Sequence, residues 1–240
     1  MAARRVDLNP CYVLHTYPYK ETSLIVEAIS SEHGRVALLA KGARRPRSAL
    51  RGMLLAFFPL RLSWSGSGEL ATLLNAEWQG GAVPLKGQAL ICAFYLNELL
   101  LRLLPRNDPH EALYDAYAIA LQRLSGAEHL SVVLRNFEKK LLEELGYAMV
   151  LIREAGGDIP VQPECRYLYD PESGPMKMAL PHPDASLTVS GQTLLDIARE
   201  DFSRAETREE SMLLMRNLIG HRLGERPLHS RTILRELQEL

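Results

Sequence analysis

A run of cations between residues 41 and 51 is the feature of this sequence best suited to binding chemistry. Five cations fall within eleven residues that contain no acid, namely Lys41, Arg44, Arg45, Arg47 and Arg51. Because Gly42 and Pro46 make the run a poor helix interior, we predict a mobile loop between strands. A flexible basic loop suits a polyanionic backbone better than it suits a small substrate.

A loop kept charged for solubility is the alternative interpretation, and the run alone does not decide between the two. Aromatic residues in the neighbouring strand candidates favour nucleic acid, because sequence-tolerant single-strand binders combine a cationic groove with aromatic faces on which bases stack. These aromatic residues are Tyr12, Tyr17, Tyr19, Phe57, Phe58 and Trp64. Taken singly, each of them is expected in the core more often than on such a platform.

A second group of cations flanks the apolar stripe of a helix that we predict from residue 131 to 145. These cations are Arg135, Lys139 and Lys140. A cationic rim beside an apolar groove could receive an acidic, hydrophobic peptide tail. Pairing along the helix is the alternative, with Lys139 bound to Glu143 or Lys140 bound to Glu144.

Catalytic and metal-binding motifs are poorly supported. Cys11, Cys92, Cys165 and His182 show no Cys-x-x-Cys or His-x-x-x-His spacing, so a tetrahedral metal site is not expected. The glycines of residues 65–69 lie between two strand candidates, which indicates a hairpin turn and not a dinucleotide site. Nothing assembles a nucleophile, a base and an orienting group, so we predict a protein that is not an enzyme and needs no cofactor.

The elements that must position these residues differ between the two parts of the chain. About five short strand candidates separated by turn formers occupy residues 10–80, which fits a small closed barrel. The candidates are Tyr12–His15, Leu24–Ile29, Arg35–Ala40, Phe57–Trp64 and Leu70–Trp78. Apolar residues recur three or four apart from residue 86 onward, which predicts helices.

Further along the chain, helix signals alternate with breakers. Asp108 is predicted to cap a helix that has Pro109 in its first turn, and Gly146 to stop the helix over 131–145. Six prolines predict an irregular segment over 153–189. Ser190 is predicted to cap a helix to Arg199, with further helices at about 206–223 and 230–239.

The charge distribution suggests two modules. The chain of 240 residues has a net charge of −1, but residues 1–64 hold ten cations and four acids, and the remainder holds 18 cations and 25 acids. Such asymmetry indicates one module that faces a polyanion and another with a different task. The N-terminus lacks the apolar stretch of a signal peptide and no apolar run could span a bilayer, so we expect a cytoplasmic protein with no membrane partner.

Several blocks of residues, in the same order along the chain, resemble the RecO family of DNA repair proteins. They are Tyr12–Ser23, Gly34–Val36, Ala40–Arg45, Gly66–Leu73, Tyr95–Leu100, Arg135–Glu138, Leu145–Tyr147 and Pro227–Arg231. The resemblance implies an α+β fold, with a five-stranded oligonucleotide-binding (OB) barrel over residues 1–82. A larger α-helical domain over 83–240 would contain the irregular Pro-rich insertion.

The resemblance also implies a recombination mediator that binds single- and double-stranded DNA and anneals complementary strands. It would assist RecA loading on DNA coated by the single-strand-binding protein SSB, together with RecR, and it would be associated with the nucleoid during repair. Lys41, Arg44 and Arg45 are the implied DNA contacts, to which we add Arg35, Arg47 and Arg51. Arg135 is the implied contact for the SSB C-terminal tail, and Lys139 follows by helical spacing.

One departure from the family concerns zinc. Some relatives carry four cysteines in the segment after the third helix, whereas this chain keeps only Cys165 there, so we predict no zinc. Three other functions stay open: an RNA- or ribosome-binding OB protein, a metal-dependent nuclease, and an adaptor whose basic loop is only solvated. Preference for RNA over DNA would identify the RNA-binding protein, and degradation of DNA with magnesium would identify the nuclease. Absence of DNA binding would identify the adaptor.

Overall fold

The structure is a computed structural model that describes residues 5–66, 68–81, 83–126, 128–178, 188–224 and 228–230. These residues form two compact units, one of residues before 127 together with 228–230, and one of residues 128–224. No helix in the described part of the chain is long and apolar enough to cross a bilayer. The domain boundary that the sequence predicted between residues 82 and 83 stays a prediction.

Five strands in the first unit form the barrel that the sequence predicted. They are β1 (Arg5–Tyr19), β2 (Ser23–Ser30), β3 (Gly34–Ala40), β4 (Pro59–Ser65) and β5 (Ala71–Trp78). They pair in the order β1-β2-β3-β5-β4, and β4 pairs again with β1, which closes the barrel. The contact between β3 and β5 is parallel, and the other four pairs of these strands are antiparallel in the described residues. The predicted OB-type β-barrel is therefore confirmed.

Strand β1 is much longer than the predicted run Tyr12–His15. Its first half pairs with β4 and its second half with β2, so one strand serves two neighbours. The register shifts at Val6/Asn9 and again at Val13/His15, which lets the strand bend around the barrel. These irregularities interrupt the alternation of apolar and polar residues, and for that reason the pattern revealed only the central part of β1.

The barrel core consists of side chains that alternate along the strands. Val26 and Ala28 of β2 face inward, as do Leu60 and Leu62 of β4, and all four are fully buried. Burial of a Val or Leu side chain contributes about 1.5–3 kcal/mol. Ala43 belongs to the same core although it lies outside the strands. The segment after β3 is therefore anchored in the barrel.

Two helices, α1 (Gly87–Leu103) and α2 (Glu111–Leu124), follow the barrel in the first unit. The buried amide of Asn97 on α1 donates to the Leu14 carbonyl at 2.8 Å and accepts from the Tyr117 hydroxyl at 2.5 Å. One side chain thus connects β1, α1 and α2. Because all of these groups are buried, loss of one partner would leave another polar group unsatisfied.

The predicted cap of α2 is wrong. The residue at the N-cap position is His110, and its side chain makes no capping hydrogen bond. The segment before it runs beside β3, where the Asn107 N–H donates to the Arg35 carbonyl at 2.8 Å. This pairing with β3 holds Asp108 outside the helix, so it cannot act as the cap.

The second unit contains three helices, α3 (Leu130–Glu144), α4 (Gly191–Arg199) and α5 (Ala205–Leu223). Gly146, in the left-handed region at φ +82°, follows the end of α3 as predicted. Ser190 caps α4 as predicted, since its hydroxyl accepts from the Thr193 N–H at 3.1 Å. The helix predicted over 230–239 lies almost entirely outside the described residues.

The segment predicted to be irregular holds three short strands, which corrects that part of the prediction. They are β6 (Arg166–Asp170), β7 (Gly174–Lys177) and β8 (Thr188–Ser190), in the order β7-β6-β8. Tyr167 and Tyr169 of β6 are buried. Pro175 lies in the edge strand β7, where a missing N–H is tolerated. Pro171, in the turn between β6 and β7, and Pro175 therefore do not prevent the sheet.

Candidate nucleic-acid interface

The cationic run lies between β3 and β4, as predicted, and we call Lys41–Arg51 the basic loop. It follows a succession of hydrogen-bonded turns, in which the Arg45 N–H donates to the Gly42 carbonyl and the Ser48 N–H to the Arg45 carbonyl, at 3.1 and 3.0 Å. A 3-10 helix, Ala49–Gly52, follows. The loop therefore has a defined backbone path, where the sequence suggested only a mobile connection.

Two anchors hold the basic loop on the barrel. Ala43 is fully buried in the barrel core. The Arg44 N–H donates to the Thr22 carbonyl in the turn between β1 and β2, at 2.8 Å. Gly42, at φ +68°, allows the chain to turn away from β3 just before these two anchors. The basic loop is thereby fixed against one end of the barrel.

The five cations of the basic loop are exposed, and none forms an ion pair with a residue that the structure describes. Arg44 differs from the others because its Nη1 donates to the Lys20 and Glu21 carbonyls, at 3.2 and 3.3 Å. These bonds orient the guanidinium without compensating its charge. The loop therefore presents positive charge that no ion pair within the described part of the chain compensates, which is the arrangement expected of a phosphate-binding surface.

Arg35 lies away from the basic loop, at the opposite end of β3. It is the second residue of β3, whereas Lys41 follows the end of that strand, about 20 Å away at the usual rise per residue. Its Nη1 lies 3.3 Å from the buried carboxylate of Glu27, which also binds Arg106. Burial lowers the pKa of Arg35, while Glu27 acts in the opposite direction. Arg35 has a structural partner, and its DNA contact stays a prediction.

Of the six strand aromatics considered as base platforms, only Trp64 is buried; Tyr17 is exposed and the other four are partly buried. Tyr12 packs between Tyr114 and Tyr117 of α2, with ring centroids 5.6 and 5.3 Å apart. Trp64 is only 6% exposed. The exposed ring that the candidate platforms did not include is Trp78, which stacks on Phe58. Its position at the end of β5 was visible in the sequence, but its exposure was not.

The cations of α3 are already paired. Arg135 is 6% exposed and its Nε lies 2.6 Å from the fully buried carboxylate of Glu138. The Lys139 ammonium lies 2.9 Å from Glu200 and 3.4 Å from the Ile197 carbonyl. These contacts give Arg135 and Lys139 different surroundings, so they do not form one open cationic rim. Their role in binding a peptide tail stays a prediction.

The alternative of pairing along α3 is confirmed in part. Lys140 lies 2.9 Å from Glu144, one helical turn away, and 3.4 Å from Glu143. Lys139 instead pairs with Glu200. The helical spacing could not indicate this pair, because Glu200 lies 61 positions further along the chain. Local spacing therefore predicted one of the two ion pairs.

The described residues contain no group of three or more His, Cys, Asp or Glu that could hold a metal. Burial raises the pKa of the Cys11 thiol to about 12, so at neutral pH it is not the thiolate that metals require. The Cys165 thiol donates to the Gln162 amide oxygen at 3.2 Å. The absence of zinc remains a prediction.

Two family models match this chain. The model described as "Recombination protein O N terminal" matches residues 8–81, and "Recombination protein O C terminal" matches residues 85–232. A DNA repair protein RecO from Aromatoleum aromaticum is 56% identical over 238 residues, covering 99% of this chain and 98% of the relative. The protein of that name from Nitrosospira multiformis is 51% identical over 237 residues, with the same coverage of each chain.

Proposed function

The chain belongs to the RecO family of DNA repair proteins, and from its basic loop we propose that it binds single- and double-stranded DNA and anneals complementary strands. Family membership gives the chain a role in DNA repair and recombination. The observation that supports the finer proposal is the set of five exposed cations without carboxylate partners among the described residues. They lie on a closed barrel that holds their backbone in place.

Charge neutralisation is the proposed mechanism. Two DNA strands repel each other through their phosphates, and cations that bind those phosphates release condensed counterions and reduce the repulsion. The basic loop would hold one strand while a complementary strand approaches. Base pairing then supplies the driving force, so no nucleotide hydrolysis is needed, and we propose that the protein is not an enzyme.

The second unit would contribute the partners of this activity. We propose that the protein assists RecA loading with RecR on SSB-coated DNA, at the nucleoid, and that the SSB C-terminal tail binds near α3. Lys139 is the better candidate of the two residues. If a carboxylate of the tail replaced the exposed Glu200 as the partner of Lys139, the lost ion pair would cost at most about 1 kcal/mol. Separation of Arg135 from the buried Glu138 would cost about 3–5 kcal/mol.

The salt dependence of DNA binding tests this proposal. Replacement of Lys41, Arg44 and Arg45 by Ala should weaken binding to all DNA sequences similarly and reduce the slope of log K against log salt by about 2–3. A matched control removes three exposed cations of the second unit, Arg153, Arg199 and Arg216, and should leave the slope unchanged. An unchanged slope in the loop variant would contradict the assignment.

The same samples separate the proposal from its alternatives. Labelled complementary strands should anneal faster with the wild-type protein, and they should stay intact when magnesium or manganese is added. Loss of full-length DNA would support the nuclease. Competition with RNA of equal length would favour an RNA-binding function if RNA displaced DNA preferentially.

A further inference from the structure

Phe58 and Trp78 form a parallel stacked pair on the surface of the first unit. Their ring centroids are 5.2 Å apart and their planes differ by 8°. The two residues meet because Phe58 precedes β4 and Trp78 ends β5, where Trp78 lies opposite Leu60. Trp78 is nevertheless 51% exposed. Phe58 covers one face of the indole, so a ligand that stacks on the exposed ring would do so on the other face.

The indole is attached to the segment that carries the cations. Its Nε1 donates to the Met53 carbonyl at 3.3 Å. Met53 directly follows the 3-10 helix Ala49–Gly52, and its N–H donates to the Leu50 carbonyl at 3.2 Å. The exposed Arg51 is only two residues away, within about 8 Å along the backbone. Trp78 is therefore held in a fixed orientation beside the end of the basic loop.

We propose that the open face of Trp78, supported by Phe58, is a stacking platform for one unpaired base. The platform makes the site of the basic loop prefer single-stranded over double-stranded DNA. This inference rests on the proposed function, because the phosphates of the stacked nucleotide would bind the cations of the loop. A base in a duplex is stacked on its neighbours and cannot reach the indole, whereas every unpaired base offers a π-face.

The surroundings favour a nucleotide over a protein partner. Leu55 and Phe94 are also exposed, and Phe94 makes an edge contact at 4.9 Å with Phe57, the chain neighbour of Phe58. The cores of protein interfaces are depleted of charge. Here the stacked pair is bonded to Met53, two residues from Arg51, which has no ion-pair partner among the residues that the structure describes. This combination is expected when each unit of the ligand has an apolar flat part and an anionic part.

Two substitutions in the full-length chain test the platform, with binding measured by the anisotropy of labelled DNA. Trp78→Leu should lower the affinity for an oligo(dT) strand about ten-fold. It should leave duplex affinity within about two-fold and the salt slope unchanged, since no phosphate contact is lost. Trp78→Phe keeps an aromatic face without the indole N–H, and should restore most of the single-strand affinity. Tyr147→Leu removes an aromatic ring of the second unit that is 44% exposed; it is the control and should bind DNA like the wild type.

Two further readouts do not depend on the folding of the Leu variant. An oligonucleotide of abasic residues should bind the wild-type protein about ten-fold more weakly than oligo(dT). Oligo(dT) should quench the tryptophan fluorescence of the wild type and not that of Trp78→Phe, because the remaining Trp64 is buried.

Four results would overturn the platform. If Trp78→Leu lost as much affinity for duplex as for single strands, the indole would only position the loop. The same would follow if Trp78→Leu and Trp78→Phe bound single strands equally weakly. Wild-type affinity in Trp78→Leu, together with unchanged binding of abasic DNA, would leave the stacked pair to a protein partner. If the triple variant of Lys41, Arg44 and Arg45 loses DNA binding while Trp78→Leu keeps it, the proposed function stands without the platform. If the wild-type protein binds no DNA, the platform and the proposed function are both rejected.

Discussion

Glu98 on α1 accepts hydrogen bonds from the N–H and the hydroxyl of Ser230, which lies 132 positions later in the chain, at 2.9 and 2.7 Å. The His229 N–H donates to the other carboxylate oxygen at 2.9 Å. Burial raises the pKa of Glu98, but the bonds from Ser230 and His229 outweigh it, and the pKa is lower than that of a free Glu. The carboxylate thus binds the returning C-terminal segment to the first unit.

Replacement of Glu98 should destabilise the protein. Glu98→Ala leaves the N–H groups of His229 and the buried Ser230 without their acceptor, so we expect the free energy of unfolding to fall by about 2–3 kcal/mol. Urea denaturation measures this change. Glu209→Ala, which removes an exposed carboxylate of α5, is the control and should change stability by less than about 0.5 kcal/mol. Equal effects of the two substitutions would show that the contact contributes nothing.

Gly34 should not tolerate any side chain. It lies at φ +64°, and a Cβ would approach the Asp108 carbonyl oxygen to 1.8 Å. Gly34→Ala should therefore cost more than about 3 kcal/mol, since strain and a backbone clash add together. Gly80→Ala separates backbone strain from the clash, because φ is +76° at Gly80 but no atom lies within 4 Å of the added Cβ. We expect this substitution to lower the free energy of unfolding by about 1–2 kcal/mol. Thermal unfolding that gave the same loss for both would contradict the clash.

The pair of Arg135 and Glu138 should act mainly as a structural pair. Arg135→Ala leaves a fully buried carboxylate without its partner and should lower the free energy of unfolding by about 3–5 kcal/mol. The double variant Arg135→Met with Glu138→Leu removes both charges and should recover most of that loss. If Arg135→Ala instead kept its stability and lost the binding of an acidic SSB-tail peptide, the residue would be a peptide contact.

Glu210 should make the stability of the second unit sensitive to acid. Burial raises the pKa of its carboxyl, but hydrogen bonds from Ser190, Thr193 and Arg166 outweigh burial and the net shift is downward. A lowered folded-state pKa favours the ionised form in the folded protein. The resulting stability is present above the unfolded-state value, near 4.5, and is lost as pH falls through the folded-state pKa.

Urea denaturation between pH 7 and pH 3 measures this effect. Glu210→Gln should be less stable at pH 7 and should lose less stability than the wild type below about pH 4.5. Glu209→Gln alters an exposed neighbour on the same helix and should keep the wild-type profile. Parallel curves for Glu210→Gln and the wild type would contradict the assignment.

Local patterns in the sequence were sufficient for much of the fold. Alternation along residues 58–64 predicted β4, spacing of three and four predicted α1, and Ser190 predicted the start of α4. The basic loop was also recognised, because glycine, proline and charge placed between two strand patterns are local signals. The closed order of the strands agrees with the resemblance to the RecO family, which rests on several blocks in register.

Other features depend on residues that are distant in the chain. Asp108 does not cap α2 because Asn107 pairs with Arg35, and Lys139 binds Glu200 in place of Glu143. Trp78 is exposed, whereas Trp64, also in the barrel, is buried.

The sequence by itself determined the kinds of element and the location of the positive charge, because both arise from neighbouring residues. Only the tertiary structure decided which charges are compensated and which rings face water. Compensation and burial depend on partners brought close by the closure of the barrel and the packing of the helices, and a linear pattern contains no distance between such partners.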